Sequence, residues 1–479
     1  MNPFSTIQDI KKALDRKECS PQDVVTFYRN RIKKHNPKLN SVLEAFDDVN
    51  VDAHDPHKPL SGIPFIPKDN ICQTGRLTTA GSKILSNYKA PYDATVITRL
   101  QTNGAISIGR GNCDEFAMGS SGEYSAYGPT KNPWNLECVS GGSSSGPAAA
   151  VAAGLVPFAL GTETGGSVRT PASFCNLVGM YPTYGHNSRY GIIALTSSTD
   201  QVGPFTHTVY DNALVMSALS GADSHDATSL QIKSQDYTKE LDGKMPANLT
   251  IGVIKDALES EGVDHEVRAI FMQNLDQLKK LGVKIVTIDI PLLKYGIALY
   301  FIINRAEAAS NLYRYDGSLY GMRNTSATDL FEMYKATRHD GFGAEPKRRI
   351  LVGNYVLSAG HKDAYYNKAN ELRNMLRAEF EQAFKDVSLL VSPTTPMFAF
   401  KIGQFDQDPV AMYMADYFHV PNCIIGTPAL SLQAGLSKNN LPVGMQFMGP
   451  RLSEQLIYKV AHAFQISTDH HLKTPHGYE

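Results

Sequence analysis

Two short loops of glycine and hydroxyl residues lie close together in the chain: "SGGSSSG" from Ser140 to Gly146 and "TETGGS" from Thr162 to Ser167. Glycine costs about 1 kcal/mol relative to alanine inside a regular element, so two such clusters point to function. The chemistry they suit is nucleophilic. Hydroxyls supply nucleophiles, and glycines let bare backbone N–H groups approach an oxygen that gains negative charge. A phosphate cradle fits less well, because a G-x-x-x-x-G-K-[ST] loop needs a lysine and neither loop has one. Gly142 to Gly146 formally matches the G-x-S-x-G elbow, with Ser144 as nucleophile. That elbow follows a buried strand, whereas this stretch follows the polar "KNPWNLECVS".

If the two loops face each other, Ser143 and Ser167 become neighbours. The N–H groups of Thr164, Gly165, Gly166 and Ser167 then converge on one point. A serine hydroxyl is nearly inert at neutral pH and needs a base. No histidine lies near. A buried lysine serves if desolvation lowers its pKa from about 10.4 towards neutrality, a preference for the neutral amine of roughly 4 kcal/mol. "SGIPFIPKDN" places Lys68 at the end of an apolar strand. By position alone it is one candidate among many lysines.

The elements around these residues must bring them together. Ala148 to Leu160 reads as a short Ala-rich helix that turns at Gly154 into the strand "LVPFALG", which carries the second loop back towards the first. The first 36 residues read as two amphipathic helices. Ser5 or Thr6 caps one, with Ile7, Ile10 and Leu14 inward; Ser20, Pro21 and Asp23 start the other, with Val24, Tyr28 and Ile32 inward. Further on, a helix, a glycine and a strand recur. "ATVITRLQTNG" precedes "AISIG", and "VDHEVRAIFMQNLDQLKKLG" precedes "VKIVTID". Late in the chain "DAYYNKANELRNMLRAEFEQAF" precedes "VSLLVSP". The alternation predicts an α/β fold: a large central mixed β-sheet covered by helices on both faces, with an N-terminal helical apron. The polar stretch from about His225 to Asn248 reads as a surface excursion, so residues 1–479 are expected to form a single domain.

Composition narrows the function. The chain has 479 residues, 42% hydrophobic and 19% charged, with a formal net charge of -1. No global field draws it to nucleic acid or anionic lipid. The longest apolar stretch, Ala148 to Leu160, is 13 residues and is broken by Gly154 and Pro157; a membrane-spanning helix needs about 20. The N-terminus lacks the apolar core of a secretion signal and carries Asp9, Asp15 and Glu18. The six cysteines are scattered, with no C-x-x-C pair, which predicts reduced thiols and a cytoplasmic protein, an organelle matrix being the other compartment that fits. No metal site is expected.

The block "GGSSSGPAAAVAAG…ALGTETGGSVRTPASFCNLVGMYPTYG", together with "GIPFIPKDNI", resembles the amidase signature family. The resemblance implies Lys68 as base, Ser143 as a bridging serine on a cis peptide, Ser167 as nucleophile, and Thr164, Gly165 and Gly166 as the oxyanion hole with Ser167. On this reading residues 1–58 are N-terminal helices, 59–220 the catalytic core, and 221–479 the remaining sheet and the substrate pocket. Five further segments resemble the branch of the family that works in tRNA-dependent amidotransferases: "NCDEFAMGSSGEYSAYGPTKNPWN", "SSTDQVGP", "AEAASNLYRYDG", "GFGAEPKRRI" and "DPVAMYMADYFHVPNCIIGTPALS". That likeness covers roughly residues 5 to 465.

The narrower likeness implies a glutamine pocket of Tyr300, Arg349 and Asp416. A guanidinium suits the carboxylate of a free amino acid, and a carboxylate suits its ammonium. It also implies a heterotrimer with amidotransferase subunits B and C. No cofactor is expected in this chain; ATP and Mg²⁺ are expected at the partner subunit, which handles most of the misacylated tRNA. A stand-alone amidase acting on small amides and a catalytically silent scaffold are the alternatives. The chain departs from the family pattern at Glu163, where Asp is usual, at Ser145 and Pro147 after the bridging serine, at Pro67 before Lys68, in "MYPT" from Met180 to Thr183, which lacks the lysine of "LKPT", and at Pro346. These departures bear on loop geometry.

Overall fold

The computed structural model describes residues 1–479, except for the side chains at positions 409 and 410. Fourteen strands form along the chain: β1 Val42–Ala45, β2 Pro64–Pro67, β3 Ile106–Ser107, β4 Gly109–Gly111, β5 Lys131–Asn132, β6 Asn135–Val139, β7 Phe158–Glu163, β8 Val178–Tyr181, β9 Gln201–Thr206, β10 Thr250–Ile254, β11 Lys284–Ile288, β12 Leu389–Pro393, β13 Ala429–Leu436 and β14 Pro442–Met448. Ten of them make one sheet in the order β11-β10-β12-β14-β13-β8-β9-β7-β2-β3, while β1-β4 and β5-β6 form separate pairs. The large sheet is mixed. β2 runs parallel to β3 and β7, and β10 to β11 and β12; the strands between are antiparallel.

Strands β7, β8, β9, β12 and β14 are buried at every residue. A strand buried on both faces must be covered on both, and the helices supply the cover. One apolar cluster gathers β10, β12, β13 and β14 with helices 265–280, 368–386 and 454–466. A second gathers β2 and β7 with the N-terminal helices and helix 145–152. The same sheet runs through both. No described helix is long and apolar enough to cross a membrane.

The N-terminal apron forms as its capping residues dictate. Thr6 caps helix Ile7–Asp15 in a reciprocal box with Asp9, and Ser20 caps helix Pro21–Leu39 in the same way with Asp23. Ile7, Ile10 and Leu14 face inward, as do Val24, Tyr28 and Ile32. The second helix continues past residue 36 to Leu39, through Pro37. The late helix is shorter than expected: Asp363–Asn367 forms a wider turn, and the α-helix spans Lys368–Asp386. The Ala-rich segment gives helix Ser145–Ala152, but the next strand begins only at Phe158, after Pro157, which has no N–H for a ladder. Residues 225–248 hold no helix or strand. Buried Tyr237 pins them, its hydroxyl 2.5 Å from His186 Nε2.

Candidate active site

Lys68 extends β2 by one residue. Its N–H donates to Leu160 O of β7 at 2.9 Å, so Pro67, which cannot donate, does not interrupt the register at the lysine. The side chain is fully buried. Nζ lies 2.7 Å from Ser143 Oγ, 3.0 Å from Thr162 Oγ1 and 3.3 Å from Thr162 O. Burial lowers its pKa from 10.5 to about 8, against the upward pull of Asp114, Asp200 and Glu163 nearby. The neutral amine is thereby brought within reach of ordinary pH.

The two glycine loops are fastened to each other. Ser144 N–H donates to Ser167 O at 3.2 Å. Ser144 Oγ donates to Thr162 O at 3.0 Å and accepts from Thr162 N at 3.2 Å, so the elbow serine is a latch on β7. The Gly142–Ser143 peptide is cis. Gly142 N–H donates to Ser120 O at 2.8 Å, and Ser143 O accepts from Asp114 N at 3.1 Å. Ser145 and Pro147 fall in the first turn of helix 145–152, where Pro147 has no intrahelical partner to lose and Ser145 Oγ donates to Thr130 Oγ1 at 3.1 Å. Pro346 likewise sits in the first turn of helix Ala344–Leu357.

Ser167 is nearly buried and lines a narrow cavity. No hydrogen bond joins Ser143 Oγ to Ser167 Oγ among the described residues, so the first link of the expected relay is closed and the second is open. Catalytic hydrogen bonds are often long without substrate. Gly166 departs from expectation. Its N–H donates to Glu163 Oε1 at 3.0 Å and is therefore not free for an oxyanion. The reason is that the Glu163 carboxylate turns back beneath the loop that follows it. Glu163 reaches under its own loop, accepting also from Val168 N at 2.9 Å and Arg169 N at 3.0 Å, and it pairs with buried Arg169 at 2.6 Å. The N–H groups of Thr164, Gly165 and Ser167 have no described partner.

The expected pocket residues line that same cavity: Tyr300, Arg349 and Asp416, with Gly165, Ser120, Phe301, Arg305 and Tyr413 beside them. Tyr300 is packed so tightly on the loop that a Cβ at Gly165 would lie 2.6 Å from its ring; at Gly166, with φ +114°, a Cβ would lie 2.6 Å from Asp416 Oδ1. Tyr300 Oη is 3.2 Å from Thr164 Oγ1. Arg349 Nε donates to Glu345 Oε1 at 2.7 Å. Asp416 accepts from Ser120 Oγ at 2.5 Å and from Thr170 Oγ1 at 3.3 Å; burial raises its pKa to about 7 despite those bonds.

Sequence reasoning passed over several residues here. Asp114 accepts from Gly122 N and Tyr124 N and buttresses the Gly142 turn. Thr162 holds the amine, and Arg169 holds Glu163. Arg305 directly precedes the segment "AEAASNLYRYDG", and its signal was helical spacing, since it lies four residues after Phe301 on helix Gly296–Asn311.

A ten-stranded mixed sheet with a buried lysine–serine pair beneath a glycine-rich loop is the architecture of amidase-signature proteins. The chain belongs to the Amidase family, which residues 23–458 match. It is 45% identical to the A-subunit of the glutamyl-tRNA(Gln) amidotransferase of Bacillus velezensis, over 98% of each chain. It is also 45% identical to the protein of the same name from Gloeothece citriformis, over 98% of this chain and 99% of the relative. Among solved structures, the same-named protein from Thermotoga maritima is 37% identical with a TM-score of 0.83, over 97% of this chain and 94% of the other. A peptide amidase from Stenotrophomonas maltophilia is 28% identical with a TM-score of 0.80, over 98% of each.

Proposed function

We propose that this chain is the glutamine-hydrolysing subunit of a tRNA-dependent amidotransferase. One observation carries the reading. A buried amine, biased towards its neutral form and bonded to Ser143, lies under a loop whose Ser167 opens into a cavity shared with Tyr300, Arg349 and Asp416. The near-full-length likeness to proteins named as the A-subunit of glutamyl-tRNA(Gln) amidotransferase supports it.

In this mechanism neutral Lys68 takes the proton of Ser143, which takes that of Ser167. Ser167 Oγ then attacks the side-chain amide carbon of glutamine. The oxyanion rests on the N–H groups of Thr164, Gly165 and Ser167, each donor typically worth about 3 kcal/mol in the transition state. Ser143 returns a proton to the leaving nitrogen, the C–N bond breaks and ammonia departs. Water then clears the glutamyl-Ser167 ester through the same groups acting in reverse. Arg349 orients the substrate carboxylate and Asp416 its ammonium.

The ammonia is used elsewhere, at the tRNA-handling partner subunit of a heterotrimer with amidotransferase subunits B and C. There ATP and Mg²⁺ activate Glu-tRNA(Gln) for conversion to Gln-tRNA(Gln). The test is co-purification with a tRNA-binding partner, followed by glutaminase assays with and without charged tRNA and ATP. Glutamine hydrolysis stimulated by charged tRNA supports the reading. Hydrolysis of simple amides but not of glutamine points to a stand-alone amidase, and no hydrolysis at all to a silent scaffold.

A further inference from the structure

The cavity beside Ser167 contains a cation that the mechanism above leaves unused. Arg305 is 2% exposed, lines the cavity and forms no salt bridge with any described carboxylate. Its Nη1 donates to Asn304 Oδ1 at 2.9 Å, while Nε and Nη2 have no partner. Those two nitrogens form one edge of the guanidinium, the edge that takes a carboxylate with two parallel hydrogen bonds. The face of the group is covered instead: Cζ sits 3.6 Å from the Phe301 ring centroid and 5.1 Å from that of Tyr413.

The neighbouring charges are already committed. Glu345 Oε1 accepts from Arg349 Nε at 2.7 Å and from Tyr413 Oη at 2.9 Å, and Oε2 pairs with Arg348. Glu345 therefore pairs with Arg349 and Arg348 and makes no hydrogen bond to Arg305, which it steadies only through space. Both arginines reach the same amide oxygen, Asn304 Oδ1, with Arg349 Nη1 at 3.5 Å. Two guanidiniums drawn to one neutral acceptor, one of them unneutralised and out of water, make a site electrostatically incomplete without an anion. Burial and the charge of Arg349 both push the Arg305 pKa down, which is the cost an incoming carboxylate would relieve. Asp416, also lining the cavity, suits an ammonium on the same ligand.

We propose that Arg305 is a specificity-determining residue that grips the α-carboxylate of the substrate beside Arg349, so that the pocket prefers amides bearing that carboxylate. The inference rests on the glutaminase reading and adds a residue to it. The test compares kcat/KM for glutamine with that for 4-aminobutanamide, which is glutamine without its carboxylate, in the full-length protein. Arg305→Leu is expected to lower the glutamine-to-4-aminobutanamide ratio roughly 10- to 100-fold, the worth of a hydrogen bond to a charged group, with the loss in KM rather than kcat. Arg305→Lys is expected to restore part of the ratio. A merely structural role moves both substrates together, and because the readout is a ratio within one preparation, partial misfolding does not mimic the effect. A wild-type protein that prefers glutamine and an Arg305→Leu variant that keeps the preference overturn this inference alone. A wild-type protein that does not hydrolyse glutamine overturns the functional reading and this inference with it.

Discussion

Glutamine hydrolysis should rise with pH along a curve shaped by two buried groups. Lys68 works only as the free amine, and its burial brings the pKa to about 8. About 9% of molecules then carry the free amine at pH 7, against roughly 0.03% for an unshifted lysine, a gain of about 300-fold. Below about pH 8, kcat/KM therefore falls towards tenfold per unit. Asp416 adds a second limb. Raised to about 7, it takes up a proton below that pH and loses its attraction for the substrate ammonium, so the fall steepens towards about 100-fold per unit. Ammonia release measured from pH 5.5 to 9.5 at limiting glutamine checks both limbs. Asp416→Asn should lower activity at every pH and leave only the shallower slope. A profile flat from pH 6.5 to 8.5, or one centred above pH 10, refutes a neutral lysine as the base.

The same shift has a stability consequence of fixed sign. Between about pH 8 and 10.5 the unfolded chain holds a proton on Lys68 that the folded chain has released, so stability rises with pH across that window. The gain is about 3 kcal/mol at most and is absent below pH 8.

Ser167→Ala should abolish glutamine hydrolysis and the glutamyl ester trapped by acid quench, with an unchanged circular dichroism spectrum; near-normal turnover removes Ser167 from the chemistry. Arg349→Ala should raise KM for glutamine strongly and also lower the urea midpoint, because buried Glu345 loses the buried one of its two arginine partners; an unchanged KM in folded protein rules out the carboxylate clamp. Glu163→Gln should cost about 3–5 kcal/mol of stability by stranding Arg169, which is buried and pairs with it. A loss below about 1 kcal/mol in urea unfolding would show that the pair does not hold the loop. Gly142→Ala should abolish activity, since the added Cβ would lie 2.1 Å from Asp114 Oδ2 and 2.6 Å from Gly122 N; wild-type activity in that variant contradicts the packing described for the turn.

Much of the chain was legible without coordinates where a local rule decides structure. The caps at Thr6 and Ser20 and the recurring helix–glycine–strand units follow from side chains within a few residues of one another. The two loops and Lys68 were readable as types able to do serine chemistry, and the amidase-signature likeness named their roles. The open link between Ser143 and Ser167 and the diverted N–H of Gly166 were not legible. The first depends on how closely two loops of different sequence position are set, and the second on the rotamer in which buried Arg169 holds Glu163.

By itself the sequence determined which residue types are present and which local elements they form, because capping, periodicity and glycine placement act over a single turn or strand. Only the tertiary structure decided their electrostatic worth. Lys68 became a base because β2 and β7 shut it away from water, and Glu163 closed one oxyanion donor because Arg169 holds it under its own loop. Arg305 became the unpaired cation of the pocket because Glu345, forty residues later in the chain, pairs with other arginines instead. Charge in a dry interior depends on what packs around it, and that neighbourhood is assembled from distant parts of the chain.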